Sequence, residues 1–233
     1  MIIGKKMLFG ICAFVMIMAT IGGMLIKNVN ANDKLRIVVD AGHGEPDGGA
    51  VGISGVEEKD INLAIAKKLC EVLQNKGIEV IMTRDDDDGI WDSEEDSIRK
   101  KKVSDMHNRK KIMEDSKADL FISIHMNSFS DTTANGLHIF YDKAHPEAEE
   151  LANLIQDGIA DITGAKTHTV KTADTRLFLM KNPPMPAILV ECGFISNKKE
   201  EEKLKNDEYQ SKIAWSIAES VEKYYQILTN ENN

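Results

Sequence analysis

The amino-acid sequence predicts an α/β fold, a three-layer domain with a largely parallel central sheet flanked by helices. Three observations lead there. Short runs rich in β-branched residues alternate with longer segments whose apolar residues recur at helical spacing. The first strand, helix and strand, spanning 35–83, form the βαβ pattern that joins parallel neighbours through a right-handed crossover. At 233 residues, 42% hydrophobic and 29% charged, the chain can bury one substantial core, and no repeat or Pro-rich linker divides it. A net charge of -9 excludes general nucleic-acid binding, which needs a basic face.

Residues 1–31 read as a targeting segment and 32–233 as the catalytic domain. Lys5 and Lys6 precede an uncharged run, 7–26, and about 20 apolar residues suffice to cross a bilayer. A membrane anchor is the first reading. A signal peptide cut after Ala31 is the second, because Val29-Asn30-Ala31 loosely satisfies the small-x-small rule. Both deliver the remainder outside the cytoplasm, membrane-anchored or secreted. Cys12 falls in this run, and Cys70 and Cys192 have no CxxC partner, so the cysteines read as buried small hydrophobes.

The elements then follow in order. A strand at 35–40 runs into a loop holding Gly42, Gly44, Gly48, Gly49, Gly52 and Gly55. A helix at 59–76 carries Ile61, Ile65, Leu69, Val72 and Leu73 on one stripe and stops at Gly77. A strand at 78–83 follows. The acidic run 85–96 is expected to be a solvated excursion; as an EF-hand, with Gly89 sixth, its first ligand would be Arg84, which cannot bind calcium. A helix at 98–117 has a sparser stripe of Val103, Met106 and Met113, and leads to a strand at 119–125. Asn135-Gly136 turns the chain into a strand at 137–141. Pro146 opens a helix that Gly164 closes, 166–175 reads as loop, a strand follows at 187–192, and the last helix spans 208–228.

Strand ends carry the chemistry. The first strand runs into His43, the strand at 119–125 ends on His125, and that at 187–192 carries Glu191. Open α/β sheets bind ligands at the carboxyl ends of their strands, and two His plus a carboxylate are a usual protein set for catalytic zinc. Between Glu57 and Glu58, helix phase favours Glu58, which falls on the apolar stripe, provided the helix reaches back that far and does not start from Asp60. Plainer roles stay open: a strand-end His bonded for structure, or a Glu58 that complements the helix N-terminus. Glu191, among Ala187, Ile188, Leu189, Val190 and Phe194, needs a partner or a raised pKa. His107, His138 and His145 are assigned no catalytic role, and His168 is the substitute ligand. The glycines do not form a phosphate-binding GxxxxGK[ST] run.

The segments IVVDAGHG, EEKDINLAIA, ADLFISIHMN and MPAILVECGFISN together resemble the zinc-dependent N-acetylmuramoyl-L-alanine amidases of bacterial cell walls. The resemblance covers roughly 35–225 and is nearest the CwlD type, which acts on spore cortex. It implies a zinc ion on His43, Glu58 and His125, Glu191 as the catalytic carboxyl, and peptidoglycan as substrate, with the need for a protein activator unknown. Glu45, where the family commonly has Gly, and Lys181, where many members have Arg, depart from the pattern and are expected to border the cleft. The rival readings are another zinc hydrolase of wall material, such as a sugar deacetylase, and an inactive wall-binding scaffold.

Overall fold

The protein is described by a computed structural model over residues 34–231, apart from 93 and 175. The targeting segment expected at 1–31 lies outside the described residues, and no helix among the described residues is long and apolar enough to cross a membrane. In chain order come β1 (Arg36–Ala41), α1 (Glu58–Asn75), β2 (Glu79–Met82), α2 (Ile98–Asp115), β3 (Leu120–Asn127) and β4 (His138–Tyr141). After these come α3 (Ala148–Thr163), β5 (Lys171–Thr172), a 3₁₀ turn (Phe178–Met180), β6 (Ala187–Phe194), α4 (Lys198–Leu204) and α5 (Asp207–Glu231). The sheet runs β2-β1-β3-β6-β4-β5. It is parallel throughout except where β4 meets β6.

Alternation along the strands sends side chains to two unequal layers. On one face, Ile37 and Val39 of β1, Ile122 and Ile124 of β3, and Ile188 and Val190 of β6 pack against α1, α3 and α5 in the larger core. The stripes of those helices meet it as expected: Ile61, Ile65, Leu69 and Leu73 from α1, and Ile213, Ile217, Val221 and Tyr224 from α5, are all buried. On the other face, Val38, Phe121, Ala187 and Leu189 meet a thin cover of Met113 from α2 with Leu179, Met180 and Met185. That thin cover leaves the carboxyl ends of β1, β3 and β6 approachable from one side.

Several expectations change. Of the stripe read along α2, Met113 is fully buried and Met106 packs against the smaller core, but Val103 is 53% exposed, so only the first residue of the stripe misses the docking face. The acidic excursion is only partly free in solvent: Glu45 N–H donates to the Asp87 carbonyl at 2.9 Å, Gly89 N–H donates to the Glu45 carbonyl at 2.9 Å, and Lys59 Nζ meets Asp87 Oδ1 at 2.6 Å. Its backbone pairs with the glycine loop because that loop needs partners for its own peptide groups. The short β5 lies within a stretch expected to be loop, and α4 is a helix too short to leave a periodic signal.

Candidate metal centre

The glycine loop leaves β1 and returns at the first turn of α1. Glu57 is the N-cap, with extended φ of -90° and ψ of 144°, so the helix begins on Glu58 and not after Asp60. Glu58 is 4% exposed, and its carboxylate is held from several sides. Oε1 accepts the Met126 N–H at 3.0 Å and the Asn62 amide at 3.3 Å, and lies 3.0 Å from His125 Nδ1. Oε2 accepts the Ala50 N–H at 2.9 Å and lies 3.3 Å from His43 Nε2. Burial works to raise the Glu58 carboxyl, but the hydrogen bonds and charges of His125 and His43 outweigh it and hold it well below the usual carboxylate range.

His43 has a φ of 64°, the left-handed region that non-glycine residues rarely occupy. Its Nδ1 lies 3.0 Å from Asp47 Oδ2, which leaves Nε2 turned toward Glu58 and His125. Burial lowers its pKa, but Asp47 and Glu58 prevail and raise it to about 9. His125 meets it edge-on, with ring centroids 5.1 Å apart. Two glycines make this packing possible. A β-carbon at Gly42 would stand 2.3 Å from His125 Nε2, and one at Gly49, whose φ is +71°, would stand 2.7 Å from Glu58 Oε2.

Donor atoms of His43, Glu58 and His125 thus lie within 4.8 Å of one another. Two imidazoles facing one carboxylate suit zinc in ligand type. A metal bound there would compete with a proton for these nitrogens. Glu191 of β6 stands in register with His125 of β3, so both project from the same face of the sheet. Glu191 Oε2 is buried without a hydrogen-bond partner among the described residues. Burial pushes its carboxyl up to about 7; Glu58 adds to the rise, while His125 and His43 oppose it. A buried carboxyl with a raised pKa beside such a donor set is a frequent mark of a functional site.

The remaining histidines lie outside the cluster. His168 packs on His138 with ring centroids 4.2 Å apart and bonds the Asn135 carbonyl at 2.9 Å; the substitute-ligand reading therefore loses its support. Burial, with the charges of His168 and two lysines, lowers His138 to about 4. His107 meets Phe178 at 5.1 Å, and His145 Nδ1 meets Asp142 at 2.8 Å. Of the departures, Glu45 Oε1 lies 3.5 Å from Lys59 Nζ, and the Lys181 carbonyl accepts from Lys110. Sequence reasoning missed Asp47, Asn62 and Arg84. Asn62 donates to the Gly42 carbonyl at 3.0 Å, and Arg84 to the carbonyls of Ala41 at 2.9 Å and Lys59 at 2.8 Å. Asp47 sits in the glycine loop four residues from His43, which was the available signal; Arg84 and Asn62 left none.

Comparison with known proteins gives the family. Residues 37–223 match the family model described as N-acetylmuramoyl-L-alanine amidase. The germination-specific N-acetylmuramoyl-L-alanine amidase of Bacillus subtilis (strain 168) is 36% identical over 189 residues, covering 81% of this chain and 79% of that protein. The CwlD amidase from Clostridioides difficile, solved in complex with the GerS lipoprotein, superposes with a TM-score of 0.80 at 38% identity, covering 83% of this chain and 100% of that one. The catalytic domain of CwlV from Bacillus (Paenibacillus) polymyxa var. colistinus gives a TM-score of 0.71 at 32% identity, covering 82% and 98%. With a family model spanning 37–223 and relatives of this identity along most of its length, the chain belongs to the N-acetylmuramoyl-L-alanine amidase family.

Proposed function

We propose that this amidase cleaves the bond between N-acetylmuramic acid and L-alanine in peptidoglycan with a zinc ion held by His43, Glu58 and His125, and with Glu191 as the group that moves the proton. The observation that carries the reading is the unpartnered, buried Glu191 Oε2 in register with His125. Zinc in such a donor set supplies Lewis-acid chemistry, lowering the pKa of water to about 7 and polarising a carbonyl. The residues do the rest. Glu191 Oε2 accepts a proton from the water that attacks the lactyl carbonyl, and returns it to the departing alanine nitrogen. Asp47 sets the tautomer of His43 so that Nε2 faces the site. Met126 and Ala50 N–H groups fix both oxygens of Glu58.

The same reading extends to the place of action. The apolar run at 7–26 would carry the domain across the membrane as an anchor or a cleaved signal. Similarity to a germination-specific amidase supports spore-cortex peptidoglycan as the substrate. A lipoprotein partner is supported by the solved complex of the Clostridioides difficile relative.

Mass analysis of digested peptidoglycan, run beside zinc content, tests the chemistry. Wild type is expected to release stem peptides, whereas E191Q loses about 100-fold or more of that release with zinc content unchanged. Substantial turnover by E191Q removes Glu191 from the role. Lightened sugars with peptides still attached would instead mean a deacetylase.

A further inference from the structure

We propose that α2 is a two-point clamp on His43, with Arg109 positioning its backbone and Lys102 positioning its ring through Asp47. The inference rests on the reading of His43 as a zinc ligand. Lys102, Asp105 and Arg109 fall along one side of α2 at spacings of about one and two helical turns. That side meets the loop after β1. Arg109 is 1% exposed. Its Nη1 donates to the Ala41 carbonyl at 2.7 Å, and its Nη2 donates to the His43 carbonyl. The guanidinium is itself held in place by Asp40 Oδ1 and Asp105 Oδ2, each at 2.6 Å.

The grip matters because His43 has a φ of 64°. A residue with a β-carbon stays in that region only when its surroundings enforce it. Donors from a separate helix onto the carbonyls of Ala41 and His43 fix the peptide planes around the ligand. The second grip acts on the side chain. Asp47 Oδ2 lies 3.0 Å from His43 Nδ1, while Asp47 Oδ1 pairs with Lys102 Nζ at 2.7 Å. A carboxylate pinned at its far oxygen holds both the tautomer and the rotation of the imidazole. The buried residues of α2 are Ser104, Arg109 and Met113, so polar contacts dominate the docking of this helix. Its charged stripe is thereby assigned to metal binding.

Zinc dissociation constants and thermal midpoints of the metal-free protein, measured on the full chain by chelator competition and calorimetry, separate a clamp from ordinary stabilisation. The Lys102 side chain is 47% exposed, so K102M should leave the midpoint in place. It is expected to weaken zinc about tenfold, as loss of a group orienting a ligand does, and to add nothing when combined with D47N. R109K keeps the charge but loses the planar fork; it is expected to weaken zinc by about 10- to 100-fold. Zinc affinity within about twofold of wild type in both K102M and R109K overturns the clamp. If R109K does not fold, K102M alone and in the D47N background decides. A wild type that binds no zinc overturns the metal reading together with the clamp. Zinc binding that is lost in H43A but intact in both clamp variants overturns the clamp alone.

Discussion

Asp40 shows at the scale of one residue how the site edge is held. It is 1% exposed and accepts from Arg109 Nη1 at 2.6 Å, Thr83 Oγ1 at 2.7 Å and Ser123 Oγ at 2.6 Å. Burial favours its neutral form, but Arg109 and the two hydroxyls outweigh it, so its pKa falls below the usual value. A folded pKa below the unfolded one contributes stability that is present above about pH 4 and is lost as pH falls through the folded pKa. D40N is therefore expected to destabilise the protein at neutral pH by about 3–5 kcal/mol, the cost of leaving a buried partner uncompensated. It should also flatten the acid limb of stability against pH, read by denaturant unfolding from pH 2 to 7. An unchanged acid limb would remove Asp40 as its source. Gly42 offers a second residue-scale test. G42A places a β-carbon 2.3 Å from His125 Nε2, and is expected to abolish zinc retention even where the protein folds.

Among the elements, α1 and α2 differ in how openly their sequences declare them. Ile61, Ile65, Leu69 and Leu73 recur at helical spacing and are all buried, so the inward face of α1 was legible, and with it Glu58. In α2 the stripe is legible only in part, since Met106 and Met113 meet the smaller core and Val103 does not. Val103 is 53% exposed while Arg109 is 1% exposed, because this end of the helix docks on a loop whose carbonyls need donors, while Met106, Ile112 and Met113 meet the smaller core. M113A is expected to cost about 2–5 kcal/mol, whereas V103K should stay within about 0.5 kcal/mol; urea midpoints would rank them. The reverse order would place Val103, not Met113, on the docking face. The acidic excursion is exposed at 85–88, as its composition suggests, but the hydrogen bonding of Asp87 and Gly89 to the glycine loop is backbone chemistry, which side-chain composition does not report.

On the scale of the whole molecule, the larger core lies on the face of the sheet opposite His125 and Glu191, packed by α1, α3 and α5. Removing the metal should therefore abolish activity while the helical signal in circular dichroism persists. The unfolding free energy should fall only by the linkage term, about 2.7 kcal/mol when free zinc is 100 times its dissociation constant. Activity should return on adding zinc. Global unfolding on chelation would mean that the metal holds the fold and not just the site.

By itself the sequence determined the alternation of strands and helices, the inward face of α1, and the placing of His43 just past β1 and of His125 and Glu191 on β3 and β6, though those strands run on to Asn127 and Phe194. These are local properties, written in apolar periods of two and 3.6 residues and in what ends each run. Only the tertiary structure decided that Glu191 stands beside His125 with an unpaired oxygen, that His168 is drawn away to His138, and that Asp47 and Arg109 hold His43. Such facts depend on strand register and on partners as far apart in the chain as the 66 residues between His43 and Arg109. A period in the sequence records which way a residue faces; the residue it meets is set by how the layers pack.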